Sequence, residues 1–137
     1  LAFGGRYMGV DPAVSGLSLS DKLFIATCDI IREIADRGPC VIVGRCADYI
    51  LKDRPNMFDV FVYADDEHKA NRIAMRNDMA LDKALGEVKK TDKYRANHYD
   101  YYTERVWGAK ENYHLCLNSG LLGIDKCVEL ITDAVKD

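Results

Sequence analysis

The 137-residue sequence has no apolar run near the roughly 20 residues that a membrane-spanning helix needs. It has no Cys-x-x-Cys pair and no Cys/His group at zinc spacing, which excludes a structural zinc module. It has no surplus of positive charge: the net charge is −3, so a broad electrostatic grip on a nucleic-acid polymer is excluded and any anion site must be local. It offers no Ser/His/Asp or Cys/His set for a covalent nucleophile. Internal repeats, linkers and low-complexity segments are also missing. The chain therefore reads as a single domain over 1–137, long enough to bury a core.

The five cysteines, Cys28, Cys40, Cys46, Cys116 and Cys127, are odd in number and sit inside apolar patterns. They read as small buried hydrophobes in a reducing cytoplasm. His68, His98 and His114 are dispersed, and His114 lies in a strand-like run where a structural role is the simpler reading. The opening residues Leu1 to Pro12 carry Gly4, Gly5 and Gly9 without clear periodicity and without an initiating methionine. They read as the interior of a longer protein.

The densest information lies in Gly38-Pro39-Cys40-Val41-Ile42-Val43-Gly44-Arg45-Cys46-Ala47-Asp48-Tyr49-Ile50-Leu51. Val41 to Val43 lack polar alternation, which predicts a strand buried on both faces. Gly44 permits a sharp turn and sets Arg45 at the strand's carboxyl end, where open parallel sheets bind ligands. A guanidinium there is a planar fork for phosphate or carboxylate. The alternative is a structural arginine paired with an acid across a loop.

Elsewhere, Ser20 is the expected N-cap of a helix carrying Leu23, Phe24, Cys28, Ile31 and Ile34, which Gly38-Pro39 ends. Further elements are expected as a short helix at about 47–51, a strand at 58–64 and a helix with Ala70, Ile73 and Ala74 inward to about Asn77. Asp82 to Lys89 reads as a separate helix, and Thr91 to Thr103 as a polar, aromatic and basic segment. A strand at 113–118, a loop at Leu121-Leu122-Gly123 and a final helix at 124–135 follow. That last helix turns Leu130, Ile131 and Val135 inward, with Cys127 or Val128 beside them. Alternation of this kind predicts α/β layering around a parallel sheet.

Arg72 and Arg76 share one helix face, and like charges so placed repel by a few tenths of a kcal/mol unless an anion sits between them. Asp66, Glu67 and Asp78 can supply that charge, which makes a solvated face the bland reading. Asp65-Asp66-Glu67 offers metal ligands, but a helix N-terminus explains it more simply. In Lys89-Lys90-Thr91-Asp92-Lys93-Tyr94-Arg95, Asp92 and Arg95 are three apart and project to one side of a helical turn. Repeated arginines suit phosphoryl transfer, because they neutralise the transferring group. The Asn97–Tyr102 aromatics either stack on a nucleobase or pack a helix against the domain. Trp107-Gly108 fits a structural anchor.

Taken together, the segments 38–48, 58–64, 89–95 and Tyr113-His114-Leu115-Cys116-Leu117-Asn118-Ser119 resemble the cytidylate kinase-like family of P-loop kinases. The resemblance runs from about Ser18 to the end. It implies an α/β P-loop NTPase nucleotide-kinase fold, with a parallel sheet flanked by helices and a lid at about 76–103. It implies ATP with Mg²⁺ as cofactors, small nucleotides rather than nucleic acid or membrane as partners, and a cytoplasmic location. By that resemblance Arg45 and Asp92 bind the acceptor nucleotide, Arg95 faces the phosphates, and Arg72 and Arg76 approach the donor.

Three departures qualify the resemblance. No Gly-x-x-x-x-Gly-Lys-Ser/Thr occurs in these residues, so the expected fold here lacks its first strand and P-loop. Those parts are expected upstream, and the chain by itself is expected to be inactive and not to fold stably in the kinase topology. Val88 and Thr91 stand where such kinases often carry arginine, with Lys89, Lys90 and Lys93 as substitutes lacking the bidentate fork. Asn118 replaces an acid at the last strand's end. The expected activity is phosphoryl transfer to a small nucleotide, cytidylate (CMP or dCMP) first. The alternatives are a non-catalytic nucleotide-sensing or interaction module on a degenerate kinase fold, and an unrelated phosphate-binding α/β protein.

Overall fold

The structure, a computed structural model, describes residues 16–136. The expectations for Leu1 to Pro12 lie outside these residues. The chain divides into two compact units, the first ending at Val43 and the second beginning at Gly44. Among the described residues no helix is long and apolar enough to cross a membrane.

In the first unit, helix α1 spans Leu19–Asp36. Its N-cap is Ser18 rather than Ser20, because the Ser18 hydroxyl oxygen accepts the Asp21 N–H at 3.1 Å. The same hydroxyl donates to the Asp21 carboxylate at 2.6 Å, giving a reciprocal box at the third helical position. Cys28 and Ile31, three residues apart, are its buried residues.

The expected strand at Val41 to Val43 does not form. Val41 is 92% exposed and Val43 is 88% exposed, the opposite of burial on both faces. Apolar β-branched residues favour extended backbone, but a strand also needs a neighbour to accept its ladder bonds. None of the described residues supplies one.

In the second unit, a one-turn helix α2 (Ala47–Ile50) precedes strand β1 (Val60–Tyr63), helix α3 (Asp66–Asn77) and helix α4 (Leu81–Thr103). A 3₁₀ turn at Lys110–Asn112 leads to strand β2 (Leu115–Asn118), a short helix α5 (Ser119–Leu122) and helix α6 (Ile124–Ala134). The two strands pair in parallel, Val60 opposite Leu115 and Tyr63 opposite Asn118, with α3 and α4 forming the crossover. The Asp59 carbonyl opens the ladder by accepting the N–H groups of both His114 and Leu115. At the other end, Asn118 Oδ1 accepts the Gly120 and Leu121 N–H groups. That cap converts the expected loop at Leu121-Leu122 into α5.

Asp65 caps α3 by accepting the His68 N–H at 2.7 Å. The helix ends at Asp78 in a left-handed conformation, and the chain returns after only three residues, so α3 and α4 form an antiparallel hairpin. Ala70, Ala84 and Val88 form its buried seam, with Ile73, Ala74, Met79 and Leu85 packed around them. Residues 82–103 thus join one helix, without the expected break after Lys89. The basic run is the exposed side of a helix whose opposite side buries Ala84, Val88, Tyr99 and Thr103.

Three of the five cysteines are buried as expected, but Cys40 is exposed and Cys116 half-buried. In α6, Cys127 is the buried position, whereas Val128 and Val135 are exposed. Phe61 of β1 organises the aromatic packing. It stacks on Tyr113 at 4.9 Å and takes the Trp107 edge at 5.4 Å.

Gly108 has φ +79°, and a Cβ built there lies 3.0 Å from Phe61 Cζ. Gly108→Ala is expected to destabilise the fold by about 1–3 kcal/mol through backbone strain and overpacking. The readout is a lower urea midpoint at unchanged slope. An unchanged midpoint would contradict this packing.

Candidate functional site

The sequence-expected site residues fall on three supports of the second unit: the turn before α2, the exposed side of α3, and α4. The turn is conformationally demanding. Gly44, Arg45 and Cys46 have φ of 69°, 58° and 59°. The Gly44 carbonyl accepts the Ala47 N–H at 3.1 Å, closing a tight turn with two left-handed, non-glycine central residues. Each such residue costs about 1–2 kcal/mol relative to right-handed backbone. Burial of Cys46, Ala47 and Leu51 offsets that cost. Arg45 itself is exposed.

Asp48, two residues beyond Cys46, accepts the Tyr99 hydroxyl at 2.5 Å. Tyr99 is buried on α4. Burial, followed by the adjacent Asp48 carboxylate, pushes that hydroxyl far above the ordinary phenol range, so it stays a proton donor at all working pH. One residue earlier on α4, His98 has its pKa lowered by burial and then by the positive charge of Arg45. The imidazole is therefore neutral at pH 7, and the Arg45 charge is felt on the α4 surface. Tyr94 stacks on His98 at 6.1 Å, and Tyr102 meets it edge-on at 4.9 Å.

Lower on α4, Asp92 is held by two cations. Lys69 of α3 donates to its Oδ2 at 2.5 Å, and Arg95 lies 3.4 Å from its Oδ1. Lys69 also reaches Asp66 at 2.9 Å. Burial pulls the Lys69 ammonium down, but its bonds to Asp92 and Asp66 outweigh that and leave its pKa raised. Lys69, Arg72 and Arg76 follow at spacings of three and four along α3 and share one side of it. Arg72 and Arg76 are exposed and form no ion pair among the described residues. Lys89, Lys90 and Lys93 are exposed on α4.

The structure therefore joins Asp92 with Arg95, lets the Arg45 charge be felt at His98 of the same helix, and leaves Arg72 and Arg76 on the neighbouring helix. No direct bond links Arg45 to Asp92 or Arg95. Sequence reasoning missed Lys69, although a signal existed. Asp92 follows Ala84 and Val88 at four-residue steps on the side of α4 that faces α3, where a half-buried carboxylate needs a cation. It also missed Asp48 and Tyr99. A second polar group forms at the start of β2, where the Asp59 N–H donates to His114 Nδ1 at 3.0 Å. Burial, then the nearby Asp48 charge, raises the Asp59 carboxyl, with His114 and Arg105 pulling it back down. Among the described residues no group of three or more His, Cys, Asp or Glu is placed to hold a metal ion.

The sequence model of the cytidylate kinase-like family matches residues 2–121. Among solved structures, the chain is similar to the crystal structure of an uncharacterized protein from Eubacterium ventriosum, at 31% identity and a TM-score of 0.80. That similarity covers 87% of this chain and 68% of the other. No curated protein matches the chain.

Lys69→Met is expected to destabilise the second unit by about 1 kcal/mol, because it leaves Asp92 half-buried beside a single, more distant cation. With its folded pKa raised above 10.5, Lys69 contributes fully below pH 10.5 and loses that contribution as pH rises through the folded value. Denaturant titrations at pH 7 and above pH 11 check both points: the gap between wild type and variant should narrow at the higher pH.

Proposed function

The chain belongs to the cytidylate kinase-like family, and from that premise we propose that the intact protein is an ATP-dependent kinase of a small nucleotide on a P-loop nucleotide-kinase fold. Cytidylate, as CMP or dCMP, is the first acceptor to test. The observation that carries the reading is the arrangement along α4. An acid–arginine pair at Asp92 and Arg95 is steadied by Lys69, and Arg45 sits in a strained turn whose following helix is bonded to α4 through Asp48 and Tyr99. Strained backbone held in place by surrounding burial is a common property of ligand sites.

The roles follow from the chemistry. The Arg45 guanidinium has no acid tied to it among the described residues, so its planar fork is available to an acceptor phosphate. Asp92 accepts hydrogen bonds only, which suits a sugar hydroxyl or a base N–H of the acceptor. Arg95, and Arg72 with Arg76 on α3, supply positive charge for the phosphoryl group in transit, without a covalent enzyme intermediate. The net charge of −3 favours free nucleotides over a nucleic-acid polymer as partners.

The residues present fit an acceptor anion and do not fit Mg·ATP. The 137 residues hold no glycine-rich loop ending in lysine, and the described ones hold no acidic cluster for the ion. No step is therefore routed through the metal. The reading assigns the donor cradle to residues outside those given, and the same assignment accounts for the exposure of Val41 and Val43. In the kinase fold that segment lies beside the strand that leads into the cradle.

In the full-length gene product, ADP release measured against a panel of nucleoside monophosphates is expected to peak with CMP or dCMP. Arg45→Ala is expected to lower kcat/KM for the acceptor by about 10²-fold, a loss typical of a single charge-stabilising group. Unchanged kinetics across the panel would remove the role given to Arg45. Absence of ADP release with every monophosphate would favour a non-catalytic nucleotide-sensing module instead.

A further inference from the structure

We propose that the hydrogen bond from Tyr99 to Asp48 is the pin that fixes the turn carrying Arg45 to α4, which makes Asp48 and Tyr99 positioning residues for the acceptor site. The proposal rests on the kinase reading above. The need for a pin follows from the local structure. Arg45 is exposed, and no ion pair or hydrogen bond among the described residues holds its guanidinium. Its backbone, and that of Cys46, sits in the left-handed region that non-glycine residues avoid. The helix that follows is four residues long. A single turn of helix has no stability of its own and stays where its contacts put it.

Those contacts converge on α2 from α4 and from the segment after it. The Tyr99 hydroxyl donates to Asp48 Oδ2 at 2.5 Å. The Arg105 guanidinium lies over the Tyr49 ring at 5.1 Å, with Lys52 over the same ring at 4.5 Å. Asp48 and Tyr49, adjacent on α2, are thus both gripped from one direction. Tyr99 lies four residues beyond Arg95 and seven beyond Asp92, on the same side of α4. One bond therefore sets the register between the turn that carries Arg45 and the helix that carries Asp92 and Arg95.

The test uses the full-length protein and Tyr99→Phe, which keeps the ring and removes the hydroxyl. His98 reports on Arg45 without any nucleotide, because the Arg45 charge lowers its titration. By NMR, His98 in Tyr99→Phe is expected to titrate closer to the ordinary imidazole value, as in Arg45→Ala. The double variant is expected to shift it no further than Arg45→Ala alone. In steady-state kinetics, Tyr99→Phe is expected to raise the acceptor KM about tenfold and leave the donor KM unchanged. Asp48→Ala is expected to reproduce both effects, and Asp48→Asn, which keeps an acceptor oxygen, to recover most of the loss.

A His98 titration identical to wild type in both Tyr99→Phe and Asp48→Ala overturns the pin, as do effects that simply add to those of Arg45→Ala. If Tyr99→Phe fails to fold, the two Asp48 variants decide. A full-length protein that neither binds nor phosphorylates nucleotides overturns the kinase reading, while the His98 titration still decides whether the pin exists.

Discussion

The second unit depends on the close approach of α3 and α4 through Ala70, Ala84 and Val88. Small side chains at these positions let two backbones pack with little between them, and the three-residue return at Asp78–Ala80 leaves no other geometry. Once the seam is set, the rest of α4 is committed. Asp92 is delivered opposite Lys69, and Tyr99 is carried to Asp48. The polar chemistry of the site hangs on an apolar contact that itself touches no charge.

The site is built from pairs that neutralise each other locally and leave a few cations over. Asp92 is shared by Lys69 and Arg95, and Asp66 also bonds Lys69. Among the described residues Arg45, Arg72 and Arg76 have no such acid, which leaves positive charge over on a chain whose net charge is negative. Cations left over at a few positions let an acidic chain carry local positive charge without becoming a general binder of polyanions.

What was legible in the sequence was mostly local. The Asp65 start of α3, the strand containing Phe61, and the pairing of Asp92 with Arg95 all follow from residues within a few positions of each other, whereas the cap of α1 falls on Ser18 and not on the expected Ser20. The partners that organise the site do not. Lys69 and Asp92 are 23 residues apart, and Asp48 and Tyr99 are 51 apart. No spacing rule reaches across such distances. The basic run at 89–93 misled for the opposite reason: its charges mask a helical stripe that is visible only when Ala84, Val88 and Tyr99 are read as one line. At Val41 to Val43 the residue types suited a buried strand, but burial is decided by a neighbour and not by the residues themselves.

That same segment carries a liability. Two valines almost fully in water, with no ladder partner among the described residues, form an open template for another strand. Within a complete sheet such residues are the least reactive part of a protein. Uncovered, they are its stickiest, and they tie the solubility of the chain to whatever strand closes over them.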